Sequence, residues 1–334
     1  MPAVSVLMPV RDAEGTVMRA VESIQSQSLR DWELVIVNDG SRDATPRLLE
    51  AARRLDGRLR VLHLPPCGIA PALNAGLAAC RAPCVARMDA DDLAHPARLE
   101  LQLRHMLEQP ATGLVSCRVS YQGAGAGYAE HVEWINALGT HEEMSLRRFV
   151  EAPVAHPSVM FRRELVDKHG GYRDGPFPED YELWLRWLEA GARFEKLSES
   201  LLVWNDPPQR LSRTDPRYSV AAFYEIKTAS LARWLRAQAP EGRALWLWGA
   251  GRVTRRRFDA LERQGIRLAG FIDVDPAKRG SHRDGRPVRM ADELPEREGS
   301  FILAGVAARG ARGQIHAHLA ARGWREGADF LLVA

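Results

Sequence analysis

The chain opens on an apolar run, Val4–Val10, that gives way to charged residues at Arg11 and Asp12. A short apolar run ended by polar positions reads as a buried strand entering a loop. Apolar residues then recur at Val17, Ala20, Val21 and Ile24, so a helix is predicted over Thr16–Gln27. Trp32–Asn38 is a second buried strand, halted by the turn sequence Asp39-Gly40-Ser41. Asp43 or Ser41 can cap a helix over Ala44–Leu55. A strand over Arg60–Leu64, a helix over Ile69–Ala79 and a strand over Pro83–Asp89 follow, then a helix over Leu93–Leu107. Strand and helix alternating in this way predict a parallel, right-handed, doubly wound sheet. Ligands bind such sheets beyond the carboxyl ends of the strands. Here those ends carry Asp39 and the run Asp89-Ala90-Asp91-Asp92.

The middle of the chain is less regular. Gly123–Gly127 reads as a flexible loop, Ala155–Arg162 as a strand and Gly170-Gly171-Tyr172 as a turn. Pro178 precedes a helix over Glu179–Ala190 whose stripe of Leu183, Trp184, Trp187 and Leu188 belongs to a core. Arg193–Leu197 and Leu201–Trp204 read as short strands and Tyr218–Gln238 as a long helix. Ala239-Pro240-Glu241-Gly242 is the linker candidate, placing a first domain at 1–238 and a second at 243–334. The second alternates again: strand Ala244–Trp248, helix Val253–Gln264, strands Arg267–Ile272 and Ser300–Val306, helix Arg309–Arg322, strand Phe330–Val333. Gly249-Ala250-Gly251 between its first strand and helix is half of a dinucleotide fingerprint, with Thr254 where the third glycine belongs and Asp273 where a ribose-binding acid would lie.

A length of 334 residues suits two domains. Hydrophobic residues make up 46% and charged residues 27%, which excludes a disordered or fibrous chain. The net charge of +3 is too small to argue for nucleic acid. Cys67, Cys80, Cys84 and Cys117 form no CxxC pair and have no histidines at zinc-ligand spacing, as expected of reduced thiols. No apolar run approaches the ~18 residues of a membrane span, and the N-terminus reads as a strand rather than a leader. The expectation is a cytoplasmic protein without a transmembrane segment.

Three carboxylates within four residues repel one another unless a cation sits among them. Mg2+ or Mn2+, a hard ion that takes oxygen ligands and substrate phosphates, suits Asp89, Asp91 and Asp92. A solvated loop capping the next helix is the plainer alternative.

At this point the sequence resembles a family 2 glycosyltransferase of the GT-A fold, with a Rossmann-like α/β domain after it. The resemblance rests on VSVLMPVRDAE, ELVIVNDGSRDAT, GIAPALNAGLAAC, ARMDADDLAHPARLELQ and PFPEDYELWLRWLEAG, in order, and covers roughly residues 3–215. It implies a nucleoside-diphosphate sugar donor, UDP first among the nucleotides, and a glycan, lipid-linked or protein acceptor. Asp39 matches the acid that accepts from the N3–H of uracil. Pro9, Val10, Arg11 and Glu14 match the first nucleotide-binding loop, and the segment near Gly68–Asn74 a loop that approaches ribose and base. Asp89-Ala90-Asp91 matches the DxD motif, with Asp91 as metal ligand and Asp89 also near the ribose.

The same resemblance makes Asp180, in the first turn of its predicted helix, the general base of an inverting displacement, with Glu179 in support. His156 falls near the acceptor. Trp204-Asn205-Asp206 with Arg210 resembles a C-terminal loop in which Arg210 clamps the diphosphate. That loop often carries a metal-binding histidine, and here it has none. Two other readings stand beside this one: an NAD(P)-linked sugar oxidoreductase using the second domain, and a non-catalytic nucleotide-sugar-binding protein. Peripheral membrane contact and self-association through the second domain are compatible with all three.

Overall fold

The computed structural model describes residues 1–207, 210–238 and 242–334; residues 239–241 of the expected linker lie outside them. By internal contact the chain forms two units, residues 1–144 with 152–215, and residues 145–151 with 216–334. The helix Val220–Gln238 groups with the second unit.

The first unit is built on strands β1 (Val4–Val10), β2 (Trp32–Asp39), β3 (Leu59–Leu64), β4 (Cys84–Arg87), β5 (Leu93–Ala94), β6 (Thr112–Gln122), β7 (Met160–Arg162) and β8 (Arg193–Asn205). Their order across the sheet is β3-β2-β1-β4-β7-β6-β8-β5. β1 pairs in parallel with β2 and β4, and β2 with β3, while β7 runs antiparallel to both β4 and β6. The parallel, doubly wound part of the sheet is as expected, and antiparallel β7 makes the sheet as a whole mixed, as the GT-A resemblance implies. β1 and β2 are buried along their whole length, as strands covered on both faces must be. One face receives Val17, Ala20, Val21 and Ile24 of the helix Val17–Gln25. The other receives the helices Ile69–Ala79 and Glu179–Glu189, with Trp184 and Trp187 fully buried, as the core stripe predicts. Gly76 permits the close approach of the first of these: a Cβ there would lie 2.2 Å from Leu7 Cδ1.

Several local expectations are corrected. The helix expected from Leu93 begins at Arg98, and Leu93–Ala94 pairs with β8 instead. Pro96 keeps His95 out of the helical region, so the helix starts beyond it. Only Met160–Arg162 of the expected strand 155–162 is extended, because Pro157 sits in a 3₁₀ turn, His156–Ser158. The two short strands at 193–204 are one continuous strand, β8. The glycine-rich segment leads directly into a helix, Ala126–Ala137.

The second unit holds β9 (Ala244–Trp248), β10 (Gly270–Asp273), β11 (His282–Arg283), β12 (Arg286–Met290), β13 (Ser300–Ala304) and β14 (Phe330–Leu332), in the order β11-β12-β10-β9-β13-β14. From β12 to β14 every neighbouring pair is parallel. The chain winds outward from β9 in one direction and then in the other, a Rossmann-like arrangement. Among the described residues no helix is long and apolar enough to cross a membrane.

Candidate functional site

The loops that leave β1 and β2 are stitched together. Asp12, held at φ 47°, donates its N–H to Ser41 Oγ, and its carboxylate accepts from Arg42 N at 2.7 Å. Ala13 N donates to Thr45 Oγ1 and Glu14 N to Asp43 Oδ2, while Glu14 Oε2 accepts from Ala44 N. The Glu14 carboxylate is thus engaged at the start of the next helix. Pro9 and Val10 lie within β1, beside Val37 and Asn38. Asp39 is buried at the end of β2 and accepts from Cys67 N at 2.6 Å and Gly68 N at 3.1 Å. Arg11, on the surface, brings Nη1 to 3.6 Å from Asp39 Oδ2. Asp39 therefore fixes the segment leading into the helix Ile69–Ala79.

β4 lies one strand beyond β1, so its end stands roughly 10 Å across the sheet from that of β2. There Asp89, Asp91 and Asp92 bring one oxygen each within 4.8 Å of one another. Asp89 pairs with Arg87, whose guanidinium is buried. Burial pushes the Asp91 carboxyl up to about 6; the Asp89 charge adds to this, and Arg210 opposes it. Asp92 is fully buried and pushed further up, by burial and then by the two neighbouring acids. Its Oδ1 accepts from Asn205 N at 2.8 Å, while its Oδ2 is buried and has no hydrogen-bond partner among the described residues. Asn205 Nδ2 also donates to Asp91 O, so β8 holds the acidic turn from the far side. Ala90 is buried between the acids.

Sequence reasoning missed what stands behind this turn. Arg98 is wholly buried; it donates from Nη2 to Arg87 O at 2.7 Å and from Nε to Gln102 Oε1. Gln102 in turn donates to Ser158 O and Val115 O. The sequence offers only their i,i+4 spacing, which a solvated helix face shares; the burial of the pair is seen in the fold alone.

Asp180 lies half-buried in the first turn of the helix Glu179–Glu189, its Oδ1 accepting from Tyr181 N at 2.7 Å. Glu179 beside it is buried. Both lie close enough to the buried Tyr172 to raise its phenol, to which burial contributes most; Asp89 adds to this and Arg87 opposes it. Tyr172 thus feels the charge of acids from both the turn after β4 and this helix. Its hydroxyl is 2.7 Å from His156 Nε2. Burial, then the charge of Arg87, holds His156 well below its usual range, so the ring is neutral. Asn74 points at the same loop: Nδ2 donates to Tyr172 O and Oδ1 accepts from Tyr172 N.

Arg210 rests over the rings of Trp204 and Tyr128, 4.5 and 5.1 Å from their centroids, with Nη1 3.9 Å from Asp206 Oδ1. Asp206 Oδ2 accepts from Tyr121 Oη and Arg213 Nη2. A cleft of about 260 Å³ opens beside Asp91, bounded by Thr16, Arg19, Asn205 and Asp206.

In the second unit the glycine turn after β9 is set by Gly249 at φ 120°. Asp273 accepts from Ala250 N in that turn, from Val274 N and Asp275 N, and from Lys278 Nζ at 2.9 Å. The acid placed to read a ribose is thus fully engaged by its own surroundings, which weighs against a dinucleotide there.

A family model described as Glycosyl transferase family 2 matches residues 5–170. The O-antigen biosynthesis glycosyltransferase WbnJ of Escherichia coli is 30% identical over 236 residues, spanning 70% of this chain and 89% of its own. The amylovoran biosynthesis glycosyltransferase AmsE of Erwinia amylovora is 31% identical over 189 residues, 55% of this chain and 68% of its own. The solved structure of S. aureus TarS 1-349 in complex with UDP-GlcNAc is similar with a TM-score of 0.55 at 18% identity, covering 72% of this chain and 68% of that one. The mannosyltransferase PcManGT from Pyrobaculum calidifontis, in complex with GDP-Man and Mn2+, gives 0.53 at 20%, covering 70% and 64%. At such identities these likenesses establish the GT-A fold.

Proposed function

This chain belongs to glycosyl transferase family 2, and from that premise we propose that it moves a sugar from a nucleoside diphosphate, UDP first, to an acceptor hydroxyl with inversion at the anomeric carbon. The observation that carries the reading is the alignment of Asp39 and the Asp89–Asp92 turn on either side of β1, with Asp180 close by at Tyr172. Relatives named for O-antigen and amylovoran biosynthesis favour a growing polysaccharide as the acceptor.

The residues present fit a divalent ion. Among the described residues Asp92 keeps a buried oxygen without a hydrogen-bond partner, next to two further carboxylates whose mutual repulsion a cation relieves. Asp91 would hold Mn2+ or Mg2+, assisted by Asp92. The ion supplies charge neutralisation on the departing diphosphate. Asp39 and Arg11 receive the base, Asp89 the ribose, and Arg210 the diphosphate. Asp180 takes the proton of the acceptor hydroxyl as its oxygen bonds to the anomeric carbon and the sugar–phosphate bond breaks. The electron pair leaves on the nucleoside diphosphate. Asn74, Glu14 and His156 shape the loops around the reacting groups.

The test is donor hydrolysis and sugar transfer with UDP-sugars and Mn2+, comparing wild type with Asp91→Ala. Turnover by the wild type that Asp91→Ala abolishes is expected; equal turnover by both removes the metal assignment.

A further inference from the structure

Arg87 and Asp89 form an ion pair inside the acidic turn that the proposed chemistry does not by itself require. Three observations define it. First, the Arg87 side chain is only 4% exposed, whereas that of Asp89 is 25% exposed, so the cation lies beneath and the acid above. Second, the Arg87 backbone cannot shift. Its N–H donates to Val159 O at 2.9 Å, and its carbonyl accepts from the buried Arg98 at 2.7 Å. Third, the other two acids of the turn are bound differently. Asp92 is held by Asn205 N and keeps a buried oxygen with no hydrogen-bond partner among the described residues, and the Asp91 backbone is held by Asn205 Nδ2. The turn therefore contains three carboxylates of which one has a fixed cation of its own.

We infer that Arg87 is a positioning residue that withholds Asp89 from the divalent ion and reserves it for the nucleotide, leaving Asp91 and Asp92 as the protein's ligands. The inference rests on the metal-dependent reading above. A carboxylate oxygen facing a buried guanidinium is charge-compensated where it stands, and detaching it would leave an unpaired buried cation, which is costly. Asp89 therefore gains nothing by turning to the ion, while Asp92, with an orphaned oxygen, does. The same pair explains how three adjacent acids can play two roles: the buried partner decides which of them is already neutralised.

The experiment titrates the nucleotide-free full-length protein with Mn2+ alone and reads the free-ion signal by electron paramagnetic resonance, with thermal unfolding measured alongside. Arg87→Met should bind Mn2+ at least about threefold tighter than wild type, because Asp89 is released. The Arg87→Met/Asp89→Asn double variant removes the pair with no change in net charge. It should bind within about threefold of wild type, and Asp91→Asn should bind at least about tenfold more weakly. A merely structural Arg87 would move affinity and thermal stability down together. Tenfold weaker binding by the double variant would show that Asp89 is a ligand and overturn the inference. Should Arg87→Met not fold, the double variant decides alone, since it leaves no unpaired charge, with Arg87→Lys as a wild-type-like control. Wild-type protein that shows no saturable Mn2+ binding would instead fail the underlying reading, and this inference with it.

Discussion

Asn74 grips Tyr172 by both backbone groups, donating to its carbonyl at 2.8 Å and accepting from its N–H at 3.0 Å. The contact joins the helix behind β1 and β2 to the loop that precedes Asp180, and it sets Tyr172 against His156. A bidentate contact of this kind is lost whole when either end is removed. Asn74→Ala should lower turnover by about tenfold or more with little change in donor affinity. It should also cost about 1–3 kcal/mol of stability from the buried groups left unpaired. Steady-state kinetics with nucleotide-binding measurements, beside thermal unfolding, checks both. A change in donor affinity alone would place Asn74 in contact with the nucleotide instead.

Asp180→Asn keeps size and removes the proposed base. Donor and Mn2+ binding should be unchanged, while transfer to the acceptor falls about 10²–10⁴-fold. Calorimetric donor binding and product formation separate the two effects. Transfer within a few-fold of wild type would assign the proton to another group.

Asp39→Ala removes the acceptor for the N–H groups of Cys67 and Gly68 and the partner of Arg11. UDP affinity should fall at least about tenfold, and Asp39→Asn should not restore it, since an amide has one accepting oxygen and puts a donor in place of the other. Fluorescence competition with UDP is sufficient. Affinity that survives in Asp39→Ala would remove Asp39 from base recognition.

Lys227 in the second unit is buried, with Nζ donating to Val150 O at 2.7 Å and resting 4.3 Å from the Tyr224 ring centre. Burial pulls its ammonium down from 10.5 to about 8; Glu151 opposes this, and Arg312 and Arg257 add to it. Between about 8 and 10.5 the unfolded chain therefore binds more protons than the folded one, and stability rises with pH across that window. Below about 8 the cost of burying the charge is present in full. Urea unfolding from pH 7.5 to 10.5 should show Lys227→Met lacking up to one proton of the wild-type slope. Parallel slopes would refute the assignment.

Gly76→Ala places a methyl 2.2 Å from Leu7 Cδ1 and 2.8 Å from Val37 Cγ2. Overpacking at such a contact costs about 1–3 kcal/mol. Chemical denaturation measures it, and an unchanged midpoint would show that the helix can lift from the sheet.

What the sequence revealed follows from how each part is built. β1 and β2 are buried on both faces, so they stand out as unbroken apolar runs. The carboxylates sit at strand ends, where a polar residue after such a run is conspicuous. β6 was hidden because its outer half alternates with exposed residues and its register against β8 shifts near Thr112 and Cys117–Val119. The helix Ala126–Ala137 was hidden by the glycines before it. Arg98 and Gln102 look like surface residues among Leu99, Leu101 and Leu103; only the fold shows that the polar pair faces inward. For Glu14 and Asn74 the sequence marks the loop and the structure shows the use: their polar groups hold backbone.

The reciprocal bonds between the first two loops make them a single mechanical part. Asp12 and Glu14 reach into 42–44, while Ser41, Asp43 and Thr45 reach back. Under the proposed function, a nucleotide arriving at Arg11 would meet a surface already in shape, and little ordering entropy would be surrendered on docking. Recognition by this face should be governed by complementarity of charge and shape, with the protein contributing rigidity.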